Sequence, residues 1–197
     1  MAVGTETDGT LIERSCRGRP DAFVAVVRRH EVAVHAFLAR RAGPQAAADL
    51  LGEVWLRAFA CRGGYDPARA DARPWLYGIA IRQIGRHRRA ESRARRALAR
   101  IPAETVTGDF GERADERVTA QQLRPCLAAV LSGLSRQDRE LLLLIAWAGL
   151  TCEESARALG VPAGTVRSRL HRIRAKTRQA LGGANPVFAT QEGAGHG

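Results

Sequence analysis

The chain has 197 residues, 45% of them hydrophobic, which suits one ordinary domain or two small ones with buried cores. Its formal net charge of +11 favours a polyanionic partner such as nucleic acid. The longest apolar run, at residues 141–149, is too short to span a bilayer, and the first ten residues lack the basic and apolar regions of a signal peptide. We therefore expect a cytoplasmic protein that makes no membrane contact of its own.

The four cysteines are widely separated, form no CxxC pair and have no histidine at metal-ligand spacing: Cys16, Cys61, Cys126 and Cys152. Free thiols in a reducing compartment are expected, without a metal, cofactor or small-molecule substrate. Asp49 and Glu53 form the one helix-spaced acidic pair of interest, and neither has a histidine or third acid beside it in sequence. A nuclease would need clustered carboxylates or metal ligands, so the chain is not expected to be an enzyme.

Residues 1–19 are polar and are expected to be mobile, although Leu11 and Ile12 could form a short leading helix. From residue 20 apolar side chains recur at intervals of three and four, which predicts a helix that ends near Gly43-Pro44. A second helix follows over about residues 44–60. Its acidic pair, Asp49 and Glu53, lies on an outer face, where it is either solvated or docks a basic partner helix.

A Gly-, Pro- and Asp-rich connection over residues 61–73 precedes a third helix, which opens at Pro74-Trp75. This helix runs on into a cationic strip: Arg82, Arg86, His87, Arg88, Arg89, Arg93, Arg95, Arg96 and Arg100. Aromatic rings that lead into such a strip are typical of single-stranded DNA binding, where bases stack on rings and phosphates lie along the charges. The alternative is a partly disordered basic helix end that binds any nucleic acid weakly.

Residues 101–122 hold five acids, two arginines and few large apolar side chains, and we interpret them as a flexible acidic linker. The linker would separate an N-terminal domain at residues 20–100 from a C-terminal domain at residues 123–182, followed by a mobile tail at residues 183–197. Strand-like alternation is absent from the sequence. The predicted fold class is therefore all-α, with two small helical domains.

The C-terminal domain contains strong helix-end signals. Ser135 to Asp138 is predicted to cap one helix, and Thr151 with Glu154 forms a capping box for the next. Gly160 can end that helix in the left-handed conformation, after which Thr165 is predicted to cap the last helix. The two short helices joined by a tight turn predict a helix-turn-helix.

The last helix has one apolar stripe and is otherwise cationic. Val166, Leu170 and Ile173 fall at helical spacing, and the remaining surface is mostly arginine. A major groove accepts such a helix, and an arginine near its start can donate two hydrogen bonds to a guanine edge. The alternative is an amphipathic surface helix with merely solvated charges.

The residues resemble the extracytoplasmic-function (ECF) sigma factors, which give bacterial RNA polymerase its promoter specificity. The resemblance covers residues 20–97 and 123–182. Three segments carry it: ADLLGEVWLRAF at residues 48–59, RPWLYGIAIRQIGRHRRAE at residues 73–91, and LSRQDRELLLLIAWAGLTCEESARALGVPAGTVRSRLHRIRAK at residues 134–176. GTVRSRLHR is the most specific piece.

The resemblance implies three sets of site residues. Asp49 and Glu53 would dock on the clamp helices of core RNA polymerase. The upstream promoter element would be contacted by Arg167, Ser168, Arg169, His171 and Arg172. The downstream element would be read and opened by Trp75, Arg82, Gln83, Arg86, His87, Arg88 and Arg89.

Some positions depart from the family pattern. Arg82 stands where an asparagine usually lines the pocket for a flipped-out base, and Arg86 stands where an acidic or polar residue is common. Because the rigid fork of arginine favours guanine or phosphate, the downstream preference is expected to differ. Gly52 replaces a common glutamine on the clamp-docking segment. The family also implies an anti-sigma factor as a possible partner.

Three other functions compete with this interpretation. A stand-alone helix-turn-helix regulator would bind operators without polymerase, and would usually need a dimerisation element and a ligand or phosphorylation module, neither of which is evident. An enzyme, for instance a nuclease, would need clustered carboxylates or metal ligands, and the sequence offers only the pair Asp49 and Glu53. A nonspecific basic protein would act through its charge alone.

Overall fold

The computed structural model describes residues 6–98 and 131–180. In these two ranges the backbone is helical and has no strand, which confirms the all-α fold class. The helices are α1 (Asp8–Cys16), α2 (Ala22–Ala42), α3 (Pro44–Cys61), α4 (Arg73–Leu98), α5 (Arg136–Ala146), α6 (Cys152–Leu159) and α7 (Ala163–Ala180), with a 3₁₀ turn at Arg62–Gly64. The linker predicted at residues 101–122 and the tail predicted at residues 183–197 lie outside the described residues.

The N-terminal segment forms a helix where mobility was expected. Thr7 caps α1 by accepting a hydrogen bond from the amide of Thr10 at 3.2 Å. Leu11 and Ile12 are buried, at 4% and 1% exposure. The alternative of a short leading helix with Leu11 and Ile12 is confirmed, and the expected mobility is wrong for residues 8–16, because both apolar side chains pack into the core.

Asp8 joins α1 to the rest of the domain. Its Oδ1 accepts a hydrogen bond from Arg29 at 2.9 Å, and its Oδ2 lies 2.6 Å from Nε2 of His30, both on α2. The backbone amide of Ala72, just before α4, donates to Oδ2 at 2.9 Å. One carboxylate thus links three parts of the chain.

Helices α2, α3 and α4 pack into the core of the N-terminal domain. Gly43, at φ +87°, turns the chain between α2 and α3, and Pro44 starts α3 where the missing amide costs nothing. Buried residues recur every three or four positions: Ala47, Leu50, Val54 and Ala58 on α3, and Leu76, Ile79, Ala80 and Ile84 on α4. Aromatic pairs between helices, such as Phe37 with Tyr77 at 5.0 Å between centroids, fill the remaining space.

The C-terminal domain is a helix-turn-helix, and most of its predicted ends are confirmed. The Ser135 side chain accepts from the amide of Asp138, and the capping box of Thr151 and Glu154 is present. Gly160 ends α6 at φ +68° and ψ +36°. The prediction that Thr165 caps the last helix is wrong: α7 begins two residues earlier, and the amide of Thr165 already donates to Pro162.

The two domains pack against each other. Leu144, Leu150 and Ala158 of the C-terminal domain are buried with the core residues of the N-terminal domain. Helices α4 and α6 approach so closely that a Cβ on Gly78 would lie 2.7 Å from the carbonyl oxygen of Ala158. The sequence left the relative placement of the domains open, and the structure brings them together.

Candidate nucleic-acid interface

The outer face of α7 presents the residues predicted to contact the upstream element. Val166, Leu170 and Ile173 anchor the helix in the core, at 0%, 5% and 1% exposure. The helical repeat turns the opposite side of α7 toward solvent. Of the predicted residues on that side, Arg169 is half-buried, and four are exposed: Arg167, Ser168, His171 and Arg172. The structure therefore brings this predicted set together on one helix.

Two of these side chains already have partners. The Ser168 hydroxyl donates to the carbonyl of Thr165 at 3.0 Å, within its own helix. Nη2 of Arg167 lies 2.5 Å from Oε1 of Glu153, in the first turn of α6. The sequence did not single out Glu153, because this contact depends on the angle between the two helices.

Helix α4 presents the second cationic surface. Arg82, Arg86 and Arg89 are exposed, and no carboxylate in the described ranges lies within ion-pair distance of them. His87 is half-buried and lies 3.4 Å from Glu91, one turn later. Unpaired guanidiniums on one helix give a positive surface that suits a phosphate backbone.

Gln83 and Arg88 are less accessible than these arginines, although Gln83 lines two clefts that Arg86 also lines. Gln83 is 7% exposed, and its amide donates to the carbonyl of Glu53 at 3.4 Å. Arg88 turns toward the domain contact and donates to the carbonyl of Arg41. Burial and the nearby Arg136 guanidinium lower the pKa of Arg88. The helical repeat therefore turns these two predicted contacts farther inward than Arg82 and Arg86.

Trp75 lies beside a cavity that sequence reasoning missed. Its ring is half-buried and meets the ring of Tyr65 edge-on, 5.0 Å between centroids. The cavity has a volume of about 320 Å³, and its walls come from the 3₁₀ turn, the loop before α4, the start of α4, and α6: Gly64, Tyr65, Asp66, Arg69, Asp71, Pro74, Trp75 and Arg157. The turn residues around Tyr65 were the available signal, but their fold-back onto Trp75 depends on tertiary packing.

Tyr65 holds the loop that forms this cavity. Its hydroxyl lies 3.0 Å from the carbonyl of Arg69 and 3.1 Å from that of Asp71, and it donates to this pair of oxygens. Burial, with the nearby Asp8 carboxylate, raises the pKa of Tyr65 to about 12, so the hydroxyl keeps its proton at neutral pH. The cavity thus has a fixed wall before any ligand arrives.

The acidic pair predicted to dock polymerase lies on the exposed face of α3. Asp49 and Glu53 are both exposed, one helical turn apart. Leu56, one further turn along, is 75% exposed, although it is a large apolar residue. Two carboxylates beside an uncovered leucine give this face both charge and apolar area, and the sequence had not singled out Leu56.

One acidic cluster has the composition of a metal site. Ligand atoms of Asp8, His30 and Asp71 all lie within 4.8 Å of one another. The Arg29 guanidinium donates to Asp8, however, and the backbone and side chain of Arg73 both donate to Asp71 at 2.8 Å. These arginines supply the positive charge that a metal ion would bring, so we interpret the cluster as structural.

None of the helices in residues 6–98 and 131–180 combines the length and apolar character needed to cross a membrane. This finding does not test the prediction that the chain makes no membrane contact of its own.

Family comparisons match both domains in order. The family model described as Sigma-70 region 2 matches residues 26–94, and the one described as Sigma-70, region 4 matches residues 124–177. The chain is 30% identical over 174 residues to the ECF RNA polymerase sigma factor SigC of Mycobacterium tuberculosis (strain CDC 1551 / Oshkosh). That alignment covers 88% of this chain and 90% of SigC.

Two solved structures have a similar fold. CnrH, in complex with the cytosolic domain of CnrY, matches with a TM-score of 0.58 and 26% identity over 90% of this chain and 99% of CnrH. RpoE from Bartonella quintana, in complex with the anti-sigma factor NepR, matches in fold with a TM-score of 0.60, at 21% identity over 83% of this chain and 98% of RpoE. With sigma-70 regions 2 and 4 in succession and this identity to SigC, the chain belongs to the ECF sigma factors of RNA polymerase.

Proposed function

We propose that this sigma factor directs core RNA polymerase to promoters by holding each promoter at two places, one double-stranded and one opened. The observation that carries the proposal is the pair of separate arginine-rich surfaces, one on α7 and one on α4. Each lies in a domain that matches a different sigma-70 region. A stand-alone regulator would not explain the region 2 domain.

The α7 surface binds duplex DNA in the major groove. Arg167 and Arg172 project from the exposed side, and their guanidiniums match the acceptor pattern of a guanine edge or a phosphate. Ser168, Arg169 and His171 complete the contact with the upstream element. Base contacts specify the sequence, while phosphate contacts fix the register.

The α4 surface and its neighbouring cavity bind the opened strand. Arg82, Arg86 and Arg89 follow the phosphates, and His87 lies at their edge. An unpaired base enters the cavity beside Trp75, where an aromatic ring can stack on it and offset part of the cost of unstacking, a few kcal/mol. Gln83 and Arg88 hold α4 against α3 and α2 through their hydrogen bonds to the carbonyls of Glu53 and Arg41, and a DNA contact from either requires that bond to break.

The α3 face docks on the polymerase clamp helices. Asp49 and Glu53 supply negative charge for a basic helix, and Leu56 supplies apolar area. Residues 101–122 act as the linker between domains at residues 20–100 and 123–182. Joining two weak contacts by a tether raises affinity without new contacts.

We also propose a cellular compartment and a further protein partner for the chain. The chain acts in the cytoplasm, where polymerase is, and has no catalytic activity of its own. CnrH and RpoE were solved with the cytosolic domain of CnrY and with the anti-sigma factor NepR, respectively, which supports an anti-sigma factor as a partner here.

Transcription in vitro tests the proposed function. Purified chain is added to core polymerase over a pool of promoter fragments, and transcript starts are mapped by sequencing. We expect starts at defined sites that share an upstream and a downstream element and that require the chain. If core polymerase starts nowhere in response to the chain, or if starts share no sequence, the proposal is wrong.

A further inference from the structure

The first turn of α6 holds two acidic residues with different partners. Glu154 completes the capping box, accepting hydrogen bonds from the Thr151 amide at 2.8 Å and hydroxyl at 3.0 Å. Glu153 takes no part in that box. Its Oε1 reaches Nη2 of Arg167 on α7, 2.5 Å away, across the turn of the helix-turn-helix.

The contact distinguishes Arg167 from its neighbours on α7. Within the described ranges, Arg167 is the one residue of the predicted α7 set with a carboxylate partner; Arg169, His171 and Arg172 have none. Both members of the pair are exposed, at 63% for Arg167 and 54% for Glu153. They therefore lie on the surface that meets DNA, and their attraction in water alone is weak.

We infer that Glu153 is a positioning residue that holds the guanidinium of Arg167 for a guanine edge and so sets the base preference at one position of the upstream element. The inference rests on the proposed function, since it deepens the role of α7. A guanidinium has five N–H donors in a fixed fork. With one Nη2 hydrogen given to Glu153, enough donors remain for O6 and N7 of guanine.

The same carboxylate disfavours the alternative role for Arg167. A phosphate bound by this guanidinium would come close to the negative charge of Glu153 and be repelled, whereas a neutral base edge would not. The Glu153 carboxylate accepts a hydrogen bond from its own backbone amide and one from Arg167, which lower the pKa of Glu153, so the carboxylate is charged at neutral pH. Glu153 thus favours hydrogen bonds from Arg167 to a base edge over a mobile contact with a phosphate.

Glu153→Gln tests this role, because the amide keeps an acceptor for Arg167 but removes the charge. The full chain is combined with core polymerase, and selected fragments from a random promoter pool are sequenced at several salt concentrations. We expect the variant to lose roughly fivefold or more of the preference at one upstream base pair. We also expect tighter binding to unrelated duplex and a salt slope steeper by about 1, since Arg167 becomes a phosphate contact.

Glu13→Gln is the matched control, because Glu13 of α1 forms a partly exposed ion pair with Arg17 at 2.7 Å, far from α7 in sequence. It makes the same charge change and should alter neither base preference nor slope. A second arm repeats Glu153→Gln in an Arg167→Ala background, where no further loss of base preference is expected if Glu153 acts through Arg167. Thermal unfolding of each variant confirms that the domain is folded.

Three outcomes are separable. If the natural chain selects an upstream element and Glu153→Gln selects it with the same base preference and salt slope, the positioning role is wrong and the proposed function stands. If the variant still loses preference in the Arg167→Ala background, Glu153 acts on DNA directly and the inference is overturned. If the natural chain selects no element, the proposed function itself fails.

Discussion

Arg41 of α2 and Glu140 of α5 form an ion pair between the two domains, with 3.3 Å between Nη2 and Oε1. The two side chains are nearly buried, at 10% and 9% exposure. Arg136 donates to the same carboxylate oxygen at 3.0 Å, and the Arg40 guanidinium lies 3.3 Å from the ring centroid of Trp147. The contact between the domains is therefore polar at one edge and apolar around Leu144 and Leu150.

Glu140→Ala should weaken this contact strongly. Burial, with the nearby Arg88 guanidinium, already lowers the pKa of Arg41. Removing the Glu140 carboxylate leaves the guanidiniums of Arg41 and Arg136 without their shared negative partner. We expect a loss of about 3–5 kcal/mol in the free energy of unfolding, or separation of the domains if that costs less. Chemical denaturation and small-angle X-ray scattering measure the two effects. Glu13→Ala, which breaks an exposed pair, should cost no more than about 1 kcal/mol.

Gly78→Ala and Gly52→Ala form a matched pair of helix substitutions. A Cβ on Gly78 would lie 2.7 Å from the carbonyl oxygen of Ala158, whereas a Cβ on Gly52 meets nothing within 4 Å. Alanine favours a helix by about 1 kcal/mol over glycine, so Gly52→Ala should raise thermal stability. Gly78→Ala should instead push α6 from α4 and increase the radius of gyration. Equal effects of the two substitutions would contradict the close contact.

The Asp8 carboxylate should make stability depend on acid pH. Burial alone would raise its pKa, but hydrogen bonds from His30, the Ala72 amide and Arg29 outweigh burial and lower the pKa from 3.8 to about 2. A lowered pKa in the folded state stabilises the fold above the unfolded value, and this contribution disappears as the pH falls from about 4 to about 2. It amounts to about 2 kcal/mol. Denaturation midpoints measured against pH should show this loss, and Asp8→Asn should remove that part of the pH dependence.

Reversing the charge of the α3 face should abolish binding to polymerase. Asp49→Arg combined with Glu53→Arg places two positive charges where the proposed partner helix is basic, and like charges repel. Copurification with core polymerase measures the effect. Glu13→Arg with Glu31→Arg makes the same charge change at a half-buried position on α1 and an exposed position on α2, and should leave copurification intact. Retention of polymerase by the first double variant would exclude this face as the docking surface.

Trp75→Ala should impair strand opening more than duplex binding. Loss of stacking on one base weakens binding of the opened strand by about 1–3 kcal/mol, while the contacts of α7 are unchanged. Permanganate reactivity of unpaired thymines reports opening, and a gel shift on duplex reports the other step. Val32→Ala removes an 80% exposed apolar side chain from α2 and should not affect opening. If Trp75→Ala unfolds the domain in a melting curve, Trp75→Phe gives the same comparison with a ring retained.

The helix ends were predictable from the sequence because their signals are local. Each cap is formed by two residues that lie three positions apart, within one helical turn: Ser135 with Asp138, and Thr151 with Glu154. The inward turn of Gln83 and Arg88 was not predictable in the same way, since the cationic strip looks uniform in sequence. Only the packing of α4 against its neighbours shows which charges face water.

The packing of α1 and of the second domain was missed for a related reason. Asp8 finds partners 22 and 64 residues away, and Arg41 finds Glu140 at a separation of 99 residues. In a sequence these residues are indistinguishable from ordinary surface charges. The Glu153 contact with Arg167 is nearer, at 14 residues, but it depends on the angle at which α6 and α7 meet.

Leu144 and Leu150 are fully buried, at 0% exposure, in the core cluster shared with the N-terminal domain. Any event that parts the domains brings these leucines into water, and exposed apolar patches promote self-association. We therefore expect the chain to resist aggregation while its two domains stay packed together. Its shelf life at high concentration should be governed by this contact more than by the stability of either domain alone.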